Sequence, residues 1–447
     1  MQSPDAAPRA NLSVLDGVAI IFGIVFGIGI FKTPPLVAAN VDSGLAFMAV
    51  WLVGGAATLV GALCYAELAT AYPSTGGEYH FLNRAYGRST AVLFAWARGT
   101  VVQTGAIAAV SFVFGDYAAQ LAPIGPYGPA IYAAAAVILL SALNLVGTYQ
   151  STRAQHVLTV VELVTIVVVI GAALYVSTDA GQPPPAPATS SSAGGAVGLA
   201  MVFVLLTFGG WNEAAYISAE LRDGRRNIPR VLVTATVVLV LVYGLMNFAY
   251  LQAFGLEGLR AVQAPAADLM RLAAGDVGAV LLSLTVCCAA LSTLNATIFT
   301  GARAYYALGR DLPILQRLGV WDERGDNPTN GILVQTVIAL ALVLFGAATR
   351  DGFQAMVDYT APVFWFFMLL VGVSVFVLRW RDPGRQRPFR VPLYPVTPLL
   401  FCITCAYLLY SSLAYTGLGA LIGIAVLVAG VPLLLIGRGR REAIAAE

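Results

Sequence analysis

Gly23-Ile24-Val25-Phe26-Gly27-Ile28-Gly29-Ile30-Phe31, followed by Lys32-Thr33-Pro34-Pro35, and a second stretch, Thr207-Phe208-Gly209-Gly210-Trp211-Asn212-Glu213, decide how this chain is read. Each interrupts an apolar run with glycines near its middle. Glycine weakens a helix interior, although Gly23 and Gly27, spaced as G-x-x-x-G, could equally let a neighbouring helix approach. The second stretch alters that balance, because the two interruptions lie about one five-span unit apart. Glycine-broken segments at matching positions of two halves point to a transporter built from inverted repeats, with its site at the breaks.

The chemistry follows from the backbone. Unwinding a turn inside a membrane frees N–H and C=O groups, which are tolerated only where they line a cavity. The N–H groups of Gly27, Ile28 and Gly29, leading into Ile30 at the positive end of an outer half-helix, suit a carboxylate. Carbonyls near Phe208 and Gly209, ahead of Gly210 and Trp211, suit an ammonium. Phe208 and Trp211 could also cover the substrate, although aromatic residues in a span more often serve packing. Carboxylate and ammonium held across one small gap describe an α-amino acid.

Composition agrees with a membrane setting. The 447 residues are 59% hydrophobic and only 11% charged, with a net charge of +2, and mean hydropathy is +0.80. Water-soluble domains carry roughly 25% charged residues. A nucleic-acid role would need a clustered basic face, so nucleic acid is not expected as a partner. The five cysteines sit in apolar runs, where each reads as a small buried hydrophobe. Cys402-Ile403-Thr404-Cys405 has C-x-x-C spacing, but it too reads as core. No metal site or cofactor is expected. Met1 to Asp16 lacks the pattern of a signal peptide.

A span needs about 20 apolar residues. Twelve such stretches emerge, near 14–41, 44–71, 89–115, 126–147, 154–176, 197–220, 231–254, 277–307, 331–349, 353–378, 391–413 and 417–437. Residues 1–13 and 438–447 are then cytoplasmic tails of one transmembrane domain. With both ends inside, 20 of the 25 basic residues fall in cytoplasmic loops, and only Arg260, Arg271 and Arg350 fall in opposite loops. That bias sets the orientation and implies a multi-pass protein of the cytoplasmic (inner) membrane. The low-complexity stretch Gly181–Gly195 then links two halves on the outer side.

The same residues resemble a known family. Gly27-Ile28-Gly29-Ile30-Phe31 is similar to the span 1 motif of the amino acid-polyamine-organocation superfamily, especially bacterial permeases of its L-type amino acid transporter-like branch. The resemblance continues through Tyr72-Pro73-Ser74-Thr75-Gly76-Gly77-Glu78-Tyr79, Gly210-Trp211-Asn212-Glu213, Asn227-Ile228-Pro229-Arg230, the Arg303–Asp311 segment and Arg387-Pro388-Phe389-Arg390-Val391-Pro392, which spread over nearly the whole chain. It implies an all-α polytopic membrane protein with a LeuT-like fold. Spans 1–5 (about 14–176) and 6–10 (about 197–378) would form a 5+5 inverted repeat with broken helices 1 and 6, and helices 11 and 12 (about 391–437) would follow. Two departures stand out. Relatives place Ser, Ala or Thr where this chain has Ile28, and L-type relatives carry a lysine where it has Glu162.

Three charges fall near the bilayer centre, at depths of about 13 to 15 Å from the nearest cytoplasmic arginines: Glu162, Arg98 and Glu213. One reading pairs Arg98 with one of the glutamates, away from substrate. The other makes Glu162 a coupling site that carries a proton, or that coordinates a cation beside the hydroxyls of Ser292 and Thr293. Glu213 could instead face substrate and favour a cationic side chain. Lys32 is expected to snorkel outward. Glu67, Glu78 and Glu220 are expected at the cytoplasmic edge, as inner-gate ion pairs or as plain solvated charges. An embedded enzyme would need a nucleophile with its base or a metal cluster, and neither pattern is present in the sequence. The expected function is secondary active transport of L-α-amino acids, neutral ones favoured, by symport or antiport. The alternatives are a cationic amino acid, amine or polyamine carrier or exchanger, and a non-translocating sensor. The Asp116–Tyr127 loop contains no cysteine, so no disulfide-linked accessory subunit is expected.

Overall fold

The computed structural model describes residues 13–15, 17–18, 25, 29–74, 76–146, 164–176, 197–215, 221–311, 315–322, 327–349, 351–415, 417–432 and 434. In chain order its helices are α1 (Gly29–Ala38), α2 (Gly44–Ala71), α3 (Gly77–Tyr86), α4 (Arg88–Ala97), α5 (Thr104–Leu121) and α6 (Gly128–Val146). Then come α7 (Val164–Val176), α8 (Val197–Thr207), α9 (Gly224–Ala261), α10 (Pro265–Asp311), α11 (Thr329–Ala347), α12 (Gly352–Arg381), α13 (Val396–Ala414) and α14 (Leu418–Ala429). Among the described residues the only extended pairing is an isolated bridge between Asp322 and Asn327.

Eight helical stretches are long and apolar enough to cross a membrane, and Val164–Val176, Val197–Thr207 and Leu418–Ala429 are shorter apolar helices. Every one of the twelve stretches expected from sequence holds described helical residues. Two boundaries are marked by bends: Gly255 (φ +64°) breaks α9 one residue past the predicted end of span 7, and Ala274-Gly275 breaks α10 just ahead of the predicted span 8. On the outward faces Leu241, Val337, Leu344 and Val167 remain exposed. Together with the apolar helix lengths, exposed side chains of this size fit a surface solvated by lipid. The molecule is a helical, multi-pass membrane protein.

The ends of the spans are closed by local chemistry. Ser43 caps α2 by accepting from Ala46 N–H at 3.1 Å, and Asp351 caps α12 by accepting from Gln354 N–H at 3.0 Å. Such caps satisfy N–H groups that a helix start leaves unpaired. Helix α2 packs along α9, α5 packs against α6 and α10, and α12 packs against α13 and α14. This places α1 and α8 side by side within the bundle. Cys64, Cys287, Cys402 and Cys405 are buried and free, as their apolar surroundings predict, whereas Cys288, expected to be buried too, lies exposed on α10.

Candidate substrate-binding site

Span 6 is interrupted where its glycines predict. Helix α8 ends at Thr207, Phe208–Gly210 form a turn, and a single 3-10 turn runs from Trp211 to Ala215. Gly210 has φ +107°, a region closed to most side chains, and its N–H donates to Asn212 Oδ1 at 3.3 Å. The Gly209 N–H folds back to the Leu206 carbonyl at 3.0 Å. Among the described residues none donates to the carbonyls of Phe208 or Gly209. These two oxygens are therefore available acceptors in the middle of an apolar bundle.

The span 1 partner lies alongside. A Cβ on Gly29 would stand 3.1 Å from Thr207 Cγ2 and 3.4 Å from Thr207 Cα, so only glycine lets the two segments touch without a shift. The contact is stitched by hydroxyls: Thr207 Oγ1 donates to Thr33 Oγ1 at 2.8 Å, and Thr33 Oγ1 donates to the Gly29 carbonyl at 2.8 Å. Ile30 is fully buried. Gly27 and Ile28 lie outside the described residues.

Aromatic side chains back the span 6 turn. Phe208 packs on Tyr243 with ring centroids 5.0 Å apart and on Trp51 at 6.1 Å. The Tyr243 hydroxyl donates to the Val25 carbonyl at 2.8 Å, which ties span 7 to span 1 just before its glycine stretch. Trp51 is buried, with an indole N–H that has no partner among the described residues. Trp211 turns the other way, edge-on to Tyr65 at 4.8 Å and to Phe401 at 6.4 Å. Trp51 and Tyr243 escape a sequence reading, because an aromatic residue in an apolar span carries no signal that separates packing from function.

Arg98 meets two glutamates. Its Nη2 donates to Glu213 Oε1 at 2.8 Å and Oε2 at 3.1 Å, and its Nη1 donates to Glu78 Oε2 at 3.2 Å. The other Glu78 oxygen accepts from Tyr65 OH and Asn212 Nδ2, each at 2.8 Å. Arg98 begins a π-helical segment, Arg98–Gln103, between α4 and α5. Such wide turns loosen the backbone ladder and recur at functional sites. Here the loosened carbonyls are taken by tyrosines: Tyr305 OH donates to Gly99 O at 2.8 Å and Tyr359 OH to Thr100 O at 2.9 Å. Of the two glutamates that the sequence offered Arg98, Glu213 is thus one that holds it. Glu78, expected at the edge of the membrane, is buried within the same network, because the short helix α3 turns inward. Glu162 lies outside the described residues. Ser292 and Thr293 are half-buried on α10.

Residues 12–431 match the sequence model of the family described as Amino acid permease. The chain belongs to the amino acid permease family. It is 28% identical to the human b(0,+)-type amino acid transporter 1 over 410 residues, which is 90% of this chain and 82% of the relative. The rat large neutral amino acids transporter small subunit 2 is 27% identical over 443 residues, covering 96% of this chain and 81% of the relative. The human Asc-type amino acid transporter 1 is 26% identical over 447 residues, covering 97% and 83%. The family and these relatives transport amino acids, and so does this chain.

In this permease two further ion clusters appear where the sequence suggested little. Lys32 does not snorkel: it is buried and pairs with Asp116 Oδ2 at 2.8 Å and Asp351 Oδ2 at 3.1 Å. Asp351 therefore caps α12 with one oxygen and holds Lys32 with the other. The lysine is recruited because α5 and the start of α12 both end beside α1, an arrangement no local pattern reveals. At the opposite face Glu67 is also buried. It accepts from Arg379 Nε at 2.7 Å and from the Val391 N–H at 2.7 Å, with Arg387 Nε at 3.5 Å. It is a buried ion pair that holds the loop after α12 against α2, not a solvated charge.

Proposed function

We propose that this permease is a secondary active transporter of L-α-amino acids, neutral side chains favoured, that works by alternating access. In this reading it lies in the cytoplasmic (inner) membrane with both termini cytoplasmic. Twelve spans form two inverted five-span repeats, about 14–176 and 197–378, followed by spans 11 and 12 in 391–437. Support for the architecture comes from the described helix in every predicted span and from the bends at the ends of spans 7 and 8. The observation that carries the function is the contact of Gly29 with Thr207 beside the unwound Phe208–Gly210 turn. In this reading a carboxylate grip of Gly27, Ile28, Gly29 and Ile30 faces ammonium acceptors at Phe208 and Gly209, with Gly210 and Trp211 completing the break; the Gly29–Thr207 contact supports it.

A preference for neutral side chains is supported by the engagement of Glu213 with Arg98, which leaves it little capacity to hold a cationic substrate. One of the relatives is named for large neutral amino acids. Glu162, with Ser292 and Thr293, couples transport to a proton or cation, and Arg98 with Glu213 forms part of the gate. No disulfide-linked accessory subunit takes part, since the Asp116–Tyr127 loop has no cysteine.

Thermal stability of the purified protein against the common amino acids and simple amines tests this reading. A ligand at 100 times its dissociation constant adds about 2.7 kcal/mol. A subset of neutral L-amino acids should stabilise the protein, and Gly29→Val, which collides with Thr207, should abolish the response. Stabilisation by amines lacking a carboxylate, but by no amino acid, would replace the amino acid reading with an amine carrier. In proteoliposomes Glu162→Gln should bind amino acids yet lose dependence on a pH or ion gradient. Retained gradient dependence would remove Glu162 from coupling.

A further inference from the structure

On the arginine-rich face of the permease, an open cleft of about 410 Å³ lies between the end of α2, the start of α9 and the loop after α12. Two of its walls carry guanidinium groups, Arg225 and Arg385. Arg385 is exposed and is fixed at one edge by its Nε, which donates to the Ala71 carbonyl at 2.8 Å. Its guanidinium carbon lies 5.1 Å from the Tyr72 ring centroid, and that of Arg84 lies 5.3 Å from the same ring. Cation–π contact of this kind holds a flexible arginine in place without using its hydrogen-bond donors. Arg225 is exposed in the first turn of α9 and makes no hydrogen bond or ion pair with another described residue. The positive end of the α9 dipole adds to its field. One acid enters the cleft, Asp382, and its Oδ2 already accepts from Tyr72 OH at 3.1 Å.

A second observation sets the depth of this cleft. Trp380 is 80% exposed and Leu393 79% exposed at the two ends of the loop that forms its third wall, with Tyr394 and Val396 also outward. Aromatic and apolar side chains in that position belong at the boundary between headgroups and acyl chains. Arg385, held in place, and the uncommitted Arg225 in the same cleft at headgroup level match a phosphate diester, which a guanidinium can grip through two parallel hydrogen bonds. We propose that this cleft binds the phosphate of an anionic phospholipid headgroup, with Arg225 and Arg385 as its donors. A soluble phosphate shares the chemistry of that contact, but it would have no need of the apolar rim.

The test uses the full-length protein in a neutral detergent, with phosphatidylglycerol, phosphatidylcholine or inorganic phosphate titrated in while thermal stability is followed. Phosphatidylglycerol should stabilise in a salt-sensitive way, and phosphatidylcholine should not. Arg225→Gln and Arg385→Gln should each weaken the apparent affinity about fivefold, and together about thirtyfold, as expected for about one unit of headgroup attraction per arginine. Arg226→Gln, which removes the same charge one residue outside the cleft lining, should weaken it clearly less than Arg225→Gln. Retention of the amino acid response in every variant shows that the fold survives. The proposal is overturned if phosphatidylglycerol acts no differently from phosphatidylcholine, if the double variant responds as the parent does, or if inorganic phosphate alone reproduces the effect.

Discussion

The Lys32 and Arg98 clusters are both buried ionic joints on span 3, yet they are built differently. Asp116 and Arg98 stand 18 residues apart, so the two joints are about 27 Å apart along the helix. The Arg98 joint is a network: a planar guanidinium spans Glu213 and Glu78, and neutral donors from Tyr65 and Asn212 satisfy the remaining Glu78 oxygen. The Lys32 joint is a single ammonium between two aspartates. A lysine is a compact, rotatable point charge, whereas an arginine fork fixes geometry. The first suits a gate element that closes in one fixed geometry. The second, carried on α1 next to the span 1 glycines, suits a lock that opens and re-forms as that half-helix moves.

This contrast can be broken by substitution, and the largest effect should come from Arg98. Arg98→Met leaves two carboxylates facing each other without a cation, at a cost of about 3–5 kcal/mol, so little monodisperse protein should survive size-exclusion chromatography. Arg98→Lys should recover only part of that loss. If it matches the parent in both stability and transport, the network reading fails. Lys32→Met should be milder, about 2 kcal/mol, because water can reach both Asp116 and Asp351, at 17% and 27% side-chain exposure, whereas Glu78 in the Arg98 joint keeps only 4%. Its signature is kinetic: transport should fall while the folded fraction stays high, and Lys32→Arg should restore it. A Lys32→Met protein that transports normally would show the joint to be packing and not a lock.

Tyr243→Phe tests the anchoring of span 1 at Val25. Loss of one neutral hydrogen bond costs about 1 kcal/mol. It should weaken amino acid binding about fivefold in the thermal-shift titration while leaving the Arg98 network intact. Equal binding by parent and variant would mean that the Val25 carbonyl needs no anchor.

The smallest effect is a pH response on the arginine-rich face. Arg84 Nε donates to His80 Nε2 at 3.2 Å, which requires a neutral imidazole. Burial, together with the charges of Arg84 and Arg385, holds the His80 pKa below its ordinary value of 6.5. The unfolded chain therefore takes up this proton first. The contribution of His80 is fully present above pH 6.5 and is lost as pH falls through the lowered value. The parent should lose about 1 °C more than His80→Gln on going from pH 7 to pH 5. An identical loss in both would assign the drop to carboxylates elsewhere.

Much of the fold was legible in the chain because the lipid bilayer imposes a one-dimensional rule. A span must be apolar for about 20 residues, and its breaks must carry residues that tolerate unwinding. The predicted end of span 7 and start of span 8 fall beside Gly255 and Gly275 for that reason, and the turn at Phe208–Gly210 follows from its glycines. The Arg98–Glu213 pair was legible as one of two options, since a charge placed at midspan must find a partner.

The partners drawn from distant segments were not legible. Lys32 reads as an outward-snorkelling charge until α5 and α12 bring Asp116 and Asp351 to it. Glu78 reads as a loop residue until α3 turns inward, and nothing in the apolar runs singles out Trp51 or Tyr243. The sequence by itself determined that this is a multi-pass helical protein and where the turn after α8 falls, because hydrophobic length and glycine act locally. Only the tertiary structure decided which charges are joined and which aromatic rings back that turn. A buried ion must find its counter-charge wherever the packing of whole helices puts it, and that placement depends on every span at once.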